Sequence, residues 1–194
     1  MIQGLSGKKK DNSNTWLKAE MRRAFLPEDA RVLDLFCGTG EMYRRAYEGR
    51  ALQYRGIDKA QIHDVQKCTL IDNVTYVTRH DMDKYNVYDL DDYGCPWALL
   101  YLILRKRAPG EITVFITDGL PLRFKLSGRV ITLISGIEQI PRDMELPGQF
   151  RFYVDMFATM LLDVERRYGW KTEQAVYARN DGATVYYWAL KMRK

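Results

Sequence analysis

Arg31-Val32-Leu33-Asp34-Leu35-Phe36-Cys37-Gly38-Thr39-Gly40 reads as an apolar strand running into a glycine turn, and Gly56-Ile57-Asp58 closes the next strand with a carboxylate eighteen residues after Gly40. A Gly-x-Gly turn at a strand exit carries no Cβ at two positions, so its backbone can approach a ligand closely. A carboxylate at the neighbouring strand end can accept both hydroxyls of a ribose. The spacing therefore predicts a nucleoside site at the carboxyl ends of a parallel sheet.

The rest of the chain bounds what such a site can belong to. With 194 residues it fits a single domain, expected over residues 14–194, behind a flexible basic tail at 1–13 that includes Lys8-Lys9-Lys10. No apolar run approaches the roughly 20 residues of a membrane span, and the first residues lack the apolar stretch of a secretory signal. These features predict a cytoplasmic protein that makes no membrane contact. Cys37, Cys68 and Cys95 are scattered, without Cys-x-x-Cys spacing and with only two histidines beside them, which argues against a disulfide framework or a metal site. The net charge of +5 and pI near 9.0 suit an anionic partner, with cations gathered at Arg22-Arg23, Arg105-Lys106-Arg107 and Lys191-Met192-Arg193-Lys194. Oligomeric state is left open.

Hydrophobic periodicity predicts a leading helix from Trp16 to Leu26, stopped by Pro27. Strands are expected at 31–37, 52–57, 74–78, 86–91 and 112–117, with helices at 41–48, 59–67 and 96–107. Such alternation predicts a parallel sheet with helices on both faces. After an amphipathic helix at 149–168, β-rich runs at 171–178 and 183–192 flank Asp181-Gly182, a tight-turn pair that predicts an antiparallel hairpin. Residues 119–148, rich in proline and glycine, form a connection long enough to be functional. A seven-stranded, mostly parallel α/β sheet closed by a C-terminal antiparallel hairpin resembles the Rossmann-like class I methyltransferase fold.

The turn itself narrows the cofactor. A dinucleotide fingerprint needs a third glycine, but Tyr43 stands in its place, and Glu41 would set a carboxylate beside a pyrophosphate. No Gly-Lys-Ser/Thr follows, so a Walker loop is excluded as well. S-adenosyl-L-methionine carries no phosphate and tolerates nearby carboxylates. The stretch Val32 to Gly40 is similar to the first methyltransferase motif. That resemblance implies that Asp34 helps hold the methionine end, Phe36, Gly38 and Gly40 line the turn, and Asp58 takes the ribose. It also implies an acidic residue after the third strand for the adenine amino group, which falls on Asp81, with Met82 beside the base.

Ligands of doubly wound sheets collect at strand carboxyl ends, so the acceptor is expected beyond the fourth strand. There the chain reads Asp89-Leu90-Asp91-Asp92-Tyr93-Gly94-Cys95-Pro96. An exocyclic base amine is a poor nucleophile, so a carboxylate must orient its hydrogens and stabilise developing positive charge. The segment from 86 to 128, including Thr117-Asp118 and Leu126-Ser127-Gly128, resembles the tRNA guanine N2-dimethyltransferase family, with Asp92 replacing its proline and Cys95 its serine. By that resemblance Asp91 is the amine acceptor and Tyr93 the stacking aromatic. Lys18, Arg22 and Arg123 are expected at the cleft rim as phosphate contacts for nucleic acid, RNA first. Other readings are a DNA or small-molecule amine methyltransferase, a non-catalytic binding subunit of this fold, or pyrimidine C5 methylation through Cys95, although such enzymes present Pro-Cys and the order here is Cys95-Pro96.

Overall fold

The computed structural model describes residues 14–60, 68–92, 94, 96–122, 153–180 and 184–194. Helix α1 (Thr15–Phe25) precedes β1 (Arg31–Asp34), a π-helical turn (Tyr43–Tyr47) and β2 (Gln53–Asp58). There follow β3 (Cys68–Leu70), α2 (Asn73–Arg79), β4 (Val87–Leu90), α3 (Trp97–Lys106) and β5 (Glu111–Asp118). The chain closes with α4 (Tyr153–Tyr168), β6 (Lys171–Arg179) and β7 (Tyr186–Arg193). One seven-stranded sheet runs in the order β3-β2-β1-β4-β5-β7-β6. The first five strands are parallel, and β7 lies antiparallel to both β5 and β6.

Strand alternation divides the interior into two cores. Leu33, Ile57, Tyr88, Leu90, Val114 and Trp188 face the layer built by α2, α3 and α4. On that side Phe157 of α4 stacks on Trp188 with ring centroids 3.6 Å apart. The other face of the same strands carries Val32, Tyr54, Val87, Phe115 and Ala189, packed against Ala19 of α1 and Ala46 and Tyr47 of the π-turn. Asp34, Asp89 and Asp91 alternate with the first set, so they project toward α1.

The strand expected at 74–78 is a helix, and the third strand is the three-residue β3, in register with Gly56 to Asp58 of β2. Two local devices outweigh the β-branched composition. Asp72 caps α2 by accepting from Thr75 N at 2.8 Å, and Lys106 of α3 donates to the carbonyls of Val77, Thr78 and His80 at its other end. Tyr76 and Val77 bury the side of α2 that meets the core. The helix expected at 41–48 contains the π-helical turn. Residues 1–13, most of the short helix near 59–67, most of the 119–148 connection and the Asp181-Gly182 turn lie outside the described residues. Among the described residues no helix is long and apolar enough to cross a membrane, and no cluster of three His, Cys, Asp or Glu side chains is arranged to hold a metal.

Candidate functional site

β1 and β4 leave the sheet side by side. Asp34 pairs with Asp89 in the parallel register, and Leu35 N donates to Asp89 O at 3.0 Å. The glycine turn therefore departs next to the turn that carries Asp91. Gly38 and Gly40 have φ of 48° and 73°, left-handed values that favour glycine. Gly40 N closes the turn on Cys37 O at 2.7 Å, and Cys37 N donates to Ile57 O at 3.1 Å. From the end of β2, Asp58 braces the turn: Oδ2 accepts from Gly38 N at 3.0 Å and Oδ1 from Ala60 N at 2.8 Å.

This arrangement bears on the cofactor. Because the Gly38 amide is already directed at a carboxylate, the turn is not a phosphate cradle. Each Asp58 oxygen keeps lone-pair capacity for a ribose hydroxyl, since a carboxylate offers about four acceptor positions. Asp34 is buried, with Oδ2 accepting from Tyr54 Oη at 2.7 Å and Oδ1 from Phe36 N at 3.1 Å. Burial and the neighbouring Asp89 push its carboxyl up to about 8, against the opposing effects of those hydrogen bonds and of Arg22. The donor set thus fits a phosphate-free nucleoside such as S-adenosylmethionine.

Beyond the turn lies a buried charge network. Arg22 holds Asp89 with a two-pronged contact, Nε to Oδ2 and Nη2 to Oδ1, each 2.6 Å, and Tyr47 Oη donates to the same Oδ2 at 2.6 Å. Arg22 is 2% exposed and Asp89 0%. One helical turn earlier, Lys18 Nζ reaches both oxygens of Asp91 at 2.7 Å. The two cations stand four residues apart in α1 and the two carboxylates two apart in β4, so both pairs face each other across the layer. Burial alone would raise the Asp91 carboxyl, but Lys18 and Arg22 outweigh it and hold that carboxyl below its ordinary value. For Arg22, burial opposes the charge, and Asp89 and its neighbours raise the guanidinium well above its usual value.

No family model and no curated protein matches this chain. Solved structures do. TYW2 of M. jannaschii, crystallised with AdoMet, superposes with a TM-score of 0.60 over 96% of this chain and 79% of that one, at 9% identity. TYW2 of P. horikoshii, in complex with MeSAdo, gives 0.58 at 14% identity over 99% and 69%. The Burkholderia thailandensis 1,6-didemethyltoxoflavin-N1-methyltransferase, bound to 1,6-didemethyltoxoflavin and S-adenosylhomocysteine, gives 0.54 at 12% identity over 95% and 79%. The chain has the class I methyltransferase fold.

Within this fold the residues singled out from sequence fall into distinct groups. Asp34, Phe36, Gly38, Gly40 and Asp58 converge on the turn between β1 and β2. Asp81 is exposed and accepts from Asp83 N at 2.8 Å, but α2 separates it from the third strand, so its expected place directly after that strand is corrected. Met82 is buried in the core, with its carbonyl accepting from Tyr88 Oη. Lys18 and Arg22 are corrected as rim phosphate contacts: both are buried and engaged by carboxylates. Tyr93 and Arg123 lie outside the described residues.

Three features were missed at the sequence level. Asp89, Tyr47 and Tyr54 complete the buried network, and their signal was the alternation of Asp89 and Asp91 opposite cations spaced i, i+4 in α1. The role of Asp118, quoted from sequence only as part of the Thr117-Asp118 pair, is the second: at the end of β5 it is fully buried and accepts from Trp97 Nε1, Tyr153 Oη and Leu120 N, which makes it a tie between β5, α3 and α4. Finally, Cys37 and Cys68, scattered in sequence and read as outside any disulfide framework, face each other across β2 with Cα atoms 7.1 Å apart. Gly56 lies between them, where a Cβ would come within 2.5 Å of Cys68 Sγ.

Proposed function

We propose that this chain is an S-adenosylmethionine-dependent methyltransferase acting on an exocyclic base amine in nucleic acid, with RNA first and guanine N2 of a tRNA as the preferred target. The observation that carries this reading is the adjacency of two turns: the Gly38–Gly40 turn with Asp58, and the β4 exit bearing an ionised Asp91. The resemblance of residues 86–128 to tRNA guanine N2-dimethyltransferases supports the acceptor, and the two TYW2 neighbours, crystallised with AdoMet and with MeSAdo, support the cofactor.

Gly38 and Gly40 would let the backbone approach the cofactor, Asp58 would accept the ribose hydroxyls, and Asp34 would stand beneath the methionine end. When bound, S-adenosylmethionine supplies a sulfonium methyl: a nitrogen–carbon bond forms as the sulfur–carbon bond breaks, with its electron pair remaining on sulfur. Asp91 would accept an N–H of the amine, orient its lone pair, stabilise the positive charge developing on nitrogen, and take the released proton for transfer to water. Holding the two reacting atoms in line supplies much of the acceleration, because little covalent chemistry is asked of the protein.

The test is transfer of labelled methyl groups into total RNA, DNA and small-molecule extracts, with nucleoside analysis of the fraction that labels. Label in a base amine of RNA is expected. A protein whose melting temperature does not respond to millimolar S-adenosylmethionine would sink the enzyme reading. Asp58→Ala should abolish that response.

A further inference from the structure

The contact between Lys18 and Asp91 constrains which amines the site can accept, an inference that rests on the methyltransferase reading above. Lys18 is 3% exposed, and its ammonium spends two protons on the two Asp91 oxygens. Its third proton has no oxygen acceptor among the described residues and lies beside the Tyr187 ring, whose centroid is 5.7 Å from Nζ, while each Asp91 oxygen retains a lone pair beyond the one given to Lys18. A ligand meeting this pair therefore finds an acceptor and a donor side by side. Within the network itself the charges are balanced, since Lys18 and Arg22 match Asp89 and Asp91.

Two kinds of amine respond to such a pair in opposite ways. An aliphatic amine is a cation near neutral pH, with a pKa of about 10. At Asp91 it would find a carboxylate already compensated by Lys18 and Arg22, and it would meet the Lys18 ammonium beside that carboxylate, a like-charge contact in a poorly solvated place. An exocyclic amine of a nucleobase is neutral and is flanked by a ring nitrogen that accepts hydrogen bonds. Its N–H can be given to Asp91 while the ring nitrogen takes the free Lys18 proton.

We propose that Lys18 is a specificity-determining residue: with Asp91 it reads the amidine-like edge of a nucleobase, an amine beside a ring-nitrogen acceptor, and turns away aliphatic amines. Asp91 receives the amine hydrogen, and Lys18 fixes the base about the axis that brings the amine lone pair into line. This also gives the second buried ion pair a role different from the first. Arg22 and Asp89 are closed off by Tyr47 and Phe115, whereas the Asp91 side chain remains 15% exposed at the strand exit.

The experiment compares the full chain with Lys18→Met and Lys18→Arg, using labelled S-adenosylmethionine with RNA, with spermidine and putrescine, and with the deaza analogue of whichever nucleoside becomes labelled, in which C–H replaces the flanking ring nitrogen. The wild type should label the base, leave the polyamines unlabelled, and transfer at a rate nearly flat between about pH 5 and 7, below the range in which Asp34 titrates, because a base amine stays neutral there; an aliphatic acceptor would instead gain about tenfold per pH unit. The deaza analogue should lose about 100-fold or more in kcat/KM with the wild type and little with Lys18→Met, since only a site built to bond that nitrogen penalises its removal. Lys18→Met itself should fall by a similar factor, Lys18→Arg should recover part of it, and both should keep the melting shift given by S-adenosylmethionine. Should Lys18→Met fail to fold, the wild-type pH profile and deaza penalty still decide. Comparable labelling of polyamines, or equal wild-type use of the base and its deaza analogue, overturns this inference alone. Transfer to no acceptor at all overturns the activity reading together with it.

Discussion

Replacing Arg22 by methionine should be among the most damaging single substitutions in this protein, and the structure sets its size. The guanidinium makes two 2.6 Å contacts with Asp89 and a third, at 3.1 Å, with the Lys18 carbonyl, in a place where Asp89 has no exposed surface. Methionine preserves much of the stem's packing against Phe115, whose ring centroid lies 5.5 Å from the guanidinium carbon, but it leaves the carboxylate without its counter-charge. At a charge separation of about 4 Å and an effective dielectric of about 20, the lost attraction is about 4 kcal/mol, within the about 3–5 kcal/mol range for breaking one side of a buried pair. For a chain of this length each kcal/mol moves the midpoint by about 2–4 °C, so the melting temperature should fall by about 6–20 °C. Urea titration and calorimetry would measure it. The double variant Arg22→Met/Asp89→Asn removes the orphaned charge while leaving acceptor capacity for Tyr47 Oη, and it should recover at least about half of the loss. A single variant that loses less than about 1 kcal/mol, or a double variant no better than the single, would refute the view that Asp89 depends on its contact with Arg22.

Further outcomes follow from other contacts. Asp34, raised to about 8 in the folded chain, binds its proton more tightly there than when unfolded; stability should therefore be fully present below about pH 4 and decline as pH rises toward 8, by at most about 1.4 kcal/mol per unit, and Asp34→Asn should flatten this slope in urea titrations. Asp72→Ala removes the side-chain acceptor for Thr75 N and should cost about 1 kcal/mol, a larger loss than the same change at exposed Asp81. Gly56→Ala drives a Cβ to 2.5 Å from Cys68 Sγ and 2.8 Å from Cys37 Sγ; it should cost about 1–3 kcal/mol by chemical denaturation, with Cys68→Ala recovering part.

Much of the donor half of the site was legible because it is local. The glycine turn follows β1 directly, and Asp58 ends the strand beside it, so a single window of sequence holds both partners. The antiparallel β6 and β7 were readable for the same reason, from two β-rich runs on either side of Asp181-Gly182. The failures came from distance and brevity. Val74-Thr75-Tyr76-Val77-Thr78 has a strand's composition, yet a cap at Asp72 and a lysine from α3 make it a helix, while β3 is too short to carry a pattern. Lys18 and Arg22 looked like surface cations because their carboxylates lie 73 and 67 residues further along the chain. The cysteine pair was hidden likewise, its members lying 31 residues apart, although Gly56 between them was a local sign that something crowds that strand.

The pairing of α1 with β4 also bears on how the chain comes to be folded. Synthesis releases α1 well before Asp89 and Asp91, and at about 5–20 residues per second the helix waits several seconds for its counter-charges. During that interval Lys18 and Arg22 stay hydrated, since burying them unpaired would cost too much. Docking of the first helix is thereby deferred until the central strand has emerged, and a nascent chain halted before β4 should keep α1 open to proteases that the completed chain resists.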